Sequence, residues 1–208
     1  MSTIKTTVIR KQKDIQKLTM IAMLSAIAFV LMFFELSVPI MPWFIKMDLS
    51  ELPALIGAFS LGPISGVVIC FVKNLLHVFM SNTGSVGEFS NFILGVSFVV
   101  PAGLIYQKWK GRKSAIVGAF IGAILMSIIS IFSNYFIVYP VYYYMISEEA
   151  ILAAYQAIFP NVKNIFECLI IFNAPFTFIK GIFSVILTVI IYKPLSPFLK
   201  GTYRRSKC

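Results

Sequence analysis

The chain has 208 residues, of which 59% are hydrophobic and only 12% charged, with a mean hydropathy of +0.88. A soluble domain carries about 25% charged residues, so this composition excludes an ordinary soluble fold and points to a chain dissolved in lipid. The net charge of +10 does not read as nucleic-acid binding, because it gathers in three short segments with no basic stripe interleaved with aromatics.

The first of these segments holds Lys5, Arg10, Lys11, Lys13 and Lys17 and precedes an apolar run over residues 18–38. That run is too long for the apolar core of a signal peptide and ends without a small-residue cleavage site, so a retained first span is expected. It carries Ala22-x-x-x-Ala26. The loop 39–51 follows, in the stretch "PIMPWFIKMDLSELP" that runs on to Pro53, with Trp43, Phe44 and the acidic pair Asp48 and Glu51. A second apolar segment, 52–62, is shorter than the ~20 residues a spanning helix needs and turns at Gly62-Pro63. A half-length or tilted helix is expected there. The third, 63–81, holds Lys73-Asn74 and His77. The loop "SNTGSVGEFSN" supplies glycines and hydroxyls before a fourth segment, 89–107. Lys108, Lys110, Arg112 and Lys113 form the second basic patch. The fifth segment, 113–140, contains Asn134. A long loop, 141–167, leads to the sixth, 168–192, and Lys193, Lys200, Arg204, Arg205 and Lys207 close the chain.

These continuous runs predict an all-α, polytopic bundle of six transmembrane helices rather than a β-barrel of short alternating strands. Six crossings put both termini and all three basic patches on one side, the cytoplasmic side by the positive-inside bias. Asp48, Glu51, Glu88, Glu148, Glu149 and Glu167 then fall outside. The chain reads as a single integral membrane domain, 1–208, with cytoplasmic segments 1–17 and 193–208. Small residues four apart recur at Ala22/Ala26, Gly62/Gly66 and Gly118/Gly122. Such pairs let helices approach closely in lipid, either within the bundle or at a docking face for another membrane protein, with Ala22/Ala26 the strongest candidate for docking.

The motifs of several chemistries are missing. The chain has no G-x-x-x-x-G-K-[ST], so no nucleotide-binding loop of its own. It has no H-E-x-x-H and no G-x-S-x-G, and its one histidine, His77, reads as a packing or network residue. Cys70, Cys168 and Cys208 make neither a disulfide framework nor a zinc site. No carboxylate stands in mid-span, which weighs against a proton-coupled carrier. No metal and no cofactor is expected.

The polar residues inside the spans are the signal that remains. Lys180 lies about twelve residues into its segment, on the order of 16–18 Å from either end, too deep to snorkel. A lysine at that depth costs about 2.5–3.5 kcal/mol on insertion scales and faces the bundle interior or a wet cavity. Asn173, Thr177 and Lys180, at i, i+4 and i+7, share one helical stripe. Two readings of Lys180 stand side by side: an ion pair with Glu35, Glu51 or Glu88, or a donor aimed at acceptor atoms of a bound molecule. Asn134 is a second deep group with donors and acceptors, and Lys73-Asn74 a third cluster that also reads as lying near a shallow turn. Deep amide and ammonium groups among many aromatics suit a planar, acceptor-rich ring system.

The six segments, the first-span A-x-x-x-A, "DLSELPALIGAFSLGP", "KNLLHVFMSNTGSVGEFSNF" and "PFTFIKG" together resemble the substrate-binding S component of energy-coupling factor vitamin transporters, specifically the riboflavin-specific kind. The resemblance covers nearly the whole chain. It implies a high-affinity vitamin-binding subunit that works with a transmembrane T component and two cytoplasmic ATPases in a bacterial cell membrane. It makes Ala22 and Ala26 the docking face, the loop with Asp48 and Glu51 the gate, and Asn134, Thr177 and Lys180 the ring contacts. Thr177 stands where relatives often carry Asn, and Asn173 offers an amide one turn earlier. An S component for biotin, thiamine or niacin, a membrane enzyme acting on a lipid or isoprenoid, and a purely structural subunit are the alternatives.

Overall fold

The computed structural model describes residues 2–38, 41–42, 45–81 and 85–204, with side chains from 12 to 191 apart from 13, 37 and 46. Trp43 and Phe44, and residues 82–84 of the second loop, lie outside the described residues.

Helix α1 (Ser2–Met32) ends six residues before the expected boundary of 38. Leu36–Ser37 (β1) then pairs antiparallel with Lys46–Met47 (β2), Leu36 opposite Met47. This short ladder is a local departure from helix in a fold that is otherwise the expected helical bundle. Proline cannot donate to a helical ladder, and Pro42 instead turns the chain, its carbonyl accepting from Ile45 N at 2.9 Å. The ladder makes the first loop a folded flap and carries Asp48 back toward the bundle.

Helix α2 (Glu51–Leu61) is the short second segment, buried from Glu51 to Phe59. It ends at Gly62, whose φ of 101° lies in the left-handed region open to glycine. Pro63, with its fixed φ, starts α3 (Pro63–Val78) at once. Helices α4 (Val86–Lys108) and α5 (Arg112–Ser133) pack closely. A side chain at Gly122 of α5 would run into the Phe98 backbone carbonyl of α4.

Beyond α5 the helix runs through a π turn, Asn134–Val138, into α6 (Tyr139–Tyr142). The expected outer loop 141–167 contains α7 (Glu148–Gln156), whose start is capped by Ser147 Oγ accepting from Ala150 N at 3.3 Å. The sixth segment begins earlier than expected, at α8 (Ile165–Cys168), because Asn164 caps it by accepting from Glu167 N at 2.8 Å. A second π turn, Leu169–Asn173, leads into α9 (Ala174–Arg204).

The two π turns share one cause. Tyr139 N bonds back to Asn134 O, and Ala174 N to Leu169 O, each spanning five residues. The next residue in each case is a proline, Pro140 or Pro175. Proline has no N–H and its ring crowds the carbonyl four residues back. Widening the preceding turn relieves both problems.

Among the described residues, four stretches are long and apolar enough to cross a membrane: Asp14–Met32, Val86–Lys108, Arg112–Tyr142 and Ile165–Ile191. The helices Glu51–Leu61 and Pro63–Val78 are shorter. One core, built on Ala54, Leu55, Ile69, Phe98, Ala102 and Ala119, joins α2–α5. A second, with Tyr139, Ile151, Tyr155, Val162 and Leu169, seats α7 against α6 and α8. Large apolar side chains such as Phe71, Phe132 and Ile179 point outward, as a chain in lipid requires. The cavity between α9, the α5–α6 turn, the flap and the ends of α3 and α4 holds the candidate site.

Candidate functional site

Five of the six substrate residues named from sequence, Asp48, Asn134, Asn173, Thr177 and Lys180, line one cavity of about 780 Å³. That volume lies within the ~300–1,000 Å³ of small-molecule sites. Each π turn delivers one of these side chains, since Asn134 opens the first and Asn173 closes the second. Inserted π turns recur at functional sites because the extra residue re-aims the side chains around it.

Lys180 finds an acid, but none of the three anticipated. Its Nζ lies 2.8 Å from Asp48 Oδ2, 132 residues away in the chain, and both side chains keep an exposure of 12–14% toward the cavity. The ammonium is therefore ion-paired, with an acid outside the expected three, and it also faces a hollow. Asp48 Oδ1 accepts from Ser50 N at 2.8 Å and from Ser50 Oγ. Burial alone would raise the Asp48 carboxyl, but the Lys180 and Lys73 ammoniums, with the Lys180 and Ser50 hydrogen bonds, hold it well below the usual carboxylate range. An Asp with a depressed pKa adds stability above its unfolded value of 3.8 and loses it only as pH falls through the lower folded value. The flap anchor therefore holds through mild acid.

Glu51, the sixth residue, does not line the cavity. It is 1% exposed and its Oε1 lies 2.7 Å from Nζ of Lys73, which is fully buried. Lys73 is thus enclosed by protein, against the start of α2. Its Nζ also donates to Ser50 Oγ at 2.6 Å. Lys180, Asp48, Ser50, Lys73 and Glu51 form one continuous polar chain from α9 through the flap to α2 and α3. Two cations face two anions in it, so no net charge is left buried.

The remaining polar groups divide into committed and open ones. Tyr139 and Tyr155 hydroxyls lie 2.6 Å apart, and Tyr155 donates to Asn173 Oδ1 at 2.7 Å. Asn173 is thus tied to the tyrosine pair through its carbonyl oxygen while its side chain lines the cavity. Asn134 and Thr177 line the cavity with amide and hydroxyl groups that can donate and accept. The arrangement suits a neutral, acceptor-rich ligand with some donor capacity of its own.

Sequence reasoning missed a second polar wall. His77, read there as a packing or network residue, lines the cavity with Glu88 and Glu35. His77 Nδ1 lies 2.9 Å from Glu88 Oε1, and Ser81 Oγ donates to Glu88 Oε2 at 2.8 Å. The signal was available: these residues flank the short turn between two antiparallel helices. The small-residue pairs also separate. Gly66, Gly118 and Gly122 face neighbouring helices. Ala22 and Ala26 are exposed on the outer face of α1, while Leu24, Ser25 and Ala28 turn inward.

The chain matches the family described as "ECF transporter, substrate-specific component" over residues 16–192. It is 40% identical to riboflavin transporter RibU of Staphylococcus aureus (strain TCH60) over 185 residues, 89% of this chain and 93% of that protein. Riboflavin transporter FmnP of Bacillus subtilis (strain 168) is 29% identical over 191 residues, 89% of this chain and 95% of that protein. A solved structure described as "Structure and mechanism of the S component of a bacterial ECF transporter" aligns with a TM-score of 0.71 at 35% identity, over 90% of this chain and 99% of the other. A match running from before the first span to the end of the last, with relatives similar over almost their full lengths, means that this chain belongs to the substrate-specific components of ECF transporters.

Proposed function

We propose that the chain is the riboflavin-binding subunit of an ECF transporter in a bacterial cell membrane. It crosses the bilayer six times, with segments 1–17 and 193–208 in the cytoplasm. It binds the vitamin from outside and passes it inward without covalent change, while a transmembrane T component and two ATPase subunits supply the energy. Asn134, Thr177, Asn173 and Lys180 contact the ring system, and Asp48 holds the flap over it. Glu51 acts behind Asp48, through Lys73, and not on the ligand. Ala22 and Ala26 form part of the face that meets the T component.

The observation that carries this reading is the cavity itself. A single hollow of about 780 Å³ gathers an ammonium and a hydroxyl from α9 and two amides from the π turns, with the ammonium paired to Asp48 of the flap. Its lining supplies donors for ring carbonyls and ring nitrogens and acceptors for a ring N–H. The identity of 40% to a riboflavin transporter supports the choice of vitamin. Absorbance and mass spectrometry of the purified protein test it. A yellow preparation releasing riboflavin is expected. Biotin, thiamine or niacin in its place would move the chain to another vitamin, and a chemically altered product would favour an enzyme.

A further inference from the structure

The His77–Glu88 pair belongs to the cavity but not to the ring-reading set. His77 lies one residue before the end of α3, and Glu88 two residues into α4, on the side where the flap closes. The set around Lys180 stands on α9 and the π turns. The cavity therefore has two polar walls of different chemistry. One is rich in donors. The other presents a carboxylate and an imidazole.

The geometry fixes what that imidazole offers. A carboxylate only accepts hydrogen bonds, so Nδ1, 2.9 Å from Glu88 Oε1, carries the ring proton. In the neutral ring Nε2 then bears a lone pair and accepts. Ser81 Oγ donates to the other Glu88 oxygen and keeps the carboxylate in place. The Phe33 ring packs against His77 with centroids 5.5 Å apart and limits its swing. The ring is 17% exposed, and it lines the cavity. An oriented acceptor on a cavity wall calls for a ligand donor, and an uncharged hydroxyl is the donor that a neutral imidazole beside a carboxylate takes most easily.

We propose that His77, oriented by Glu88, reads the hydroxyl-bearing chain of the ligand, while the groups around Lys180 read its ring. This rests on the flavin reading above, because riboflavin joins a flat ring to a polyhydroxylated chain. His77 is a specificity residue that touches ligand, and Glu88 a positioning residue behind it.

Two ligands separate the two walls. Lumiflavin has the same ring with a methyl group in place of the polyhydroxylated chain. Binding of both is measured by flavin fluorescence quenching on ligand-free protein in detergent, for wild type and for His77→Phe, which keeps a flat ring against Phe33. Riboflavin affinity should fall about tenfold, the scale of one net hydrogen bond, while lumiflavin affinity stays within about twofold. Retained lumiflavin binding also shows that the variant is folded. Glu88→Gln supplies a second readout. Its amide can donate to Nδ1 and turn Nε2 into a donor, which a hydroxyl still satisfies, so the riboflavin loss should be smaller than in His77→Phe. Equal losses for both ligands, or no loss for either, would overturn the assignment of His77 while leaving the flavin reading intact. Wild-type protein that binds neither flavin would overturn the flavin reading and this inference with it.

Discussion

Lys180 and Lys73 are two lysines inside the bundle, one partly and one fully buried, with opposite roles that their neighbours explain. Lys180 keeps a face on the cavity beside Asp48. Removing its amine should weaken flavin binding by about 1–3 kcal/mol, the scale of a charged hydrogen bond. Lys180→Met, titrated with riboflavin in detergent, checks this, and unchanged affinity in folded protein would remove Lys180 from the site. Lys73 is sealed against Glu51 and Ser50 and reaches no ligand. Its loss should appear as stability. Lys73→Met strands a carboxylate that is 1% exposed, and breaking a buried pair from one side costs about 3–5 kcal/mol. Lys73→Met with Glu51→Met removes both charges and should recover much of the thermal midpoint, since apolar replacement of a whole buried pair is often neutral. A double variant no more stable than the single would mean that the pair does more than cancel charge. The sequence showed that Lys180 must face inward, because the lipid penalty depends on depth alone. It did not show the partner, because Asp48 reaches it only through a flap folded by a two-residue ladder. That pairing is a tertiary outcome with no local pattern.

At the scale of elements, the prolines shape the site. Pro140 and Pro175 each follow a π turn by two residues, and the turns place Asn134 and Asn173 on the cavity. Pro175→Ala restores an N–H and removes the crowding at the carbonyl of Ile171, so the turn can relax to ordinary α geometry. That change shifts register by about one residue, or ~100° around the axis. Asn173 would turn away from Tyr155 Oη, and the donors facing the ligand would scatter. Riboflavin affinity should drop several-fold while the thermal midpoint holds or rises, because interior proline is unfavourable in a helix. Unchanged affinity would show that packing, not proline, sets the π turn. The segments themselves were legible from apolar runs, and Gly62-Pro63 marked the break between α2 and α3. The π turns were not, since hydropathy has no means of seeing a one-residue insertion in backbone register. The helix α7 was hidden too. It is a nine-residue helix whose burial of Ile151 and Tyr155 depends on α6 and α8 lying beneath it.

At the scale of the whole molecule, the charge pattern and the exposed alanines make one linked argument about assembly. If the six segments all cross, the C-terminal basic run lies inside and α7 outside. Cys70 and Cys168 are buried, so Cys208 serves as a natural reporter of the tail. A membrane-impermeant maleimide should label Cys208 in inside-out vesicles but not in intact cells. Glu149→Cys, on the exposed face of α7, should label in intact cells. The reverse pattern would overturn the orientation. With the orientation set, α1 becomes the element to watch. Its inner face is occupied by Leu24, Ser25 and Ala28, while Ala22 and Ala26 stand exposed. Lipid alone gives no reason to keep two small residues one turn apart on an outer face, because larger apolar side chains insert more favourably. A close-approaching helix does give that reason. Ala26→Trp fills the gap without touching the cavity, so riboflavin binding to the isolated subunit should be unchanged. Uptake into cells should fall at least tenfold, with the T component no longer co-purifying. Binding lost together with uptake would place α1 in the fold of the site, and uptake that survives would mean that docking uses another face.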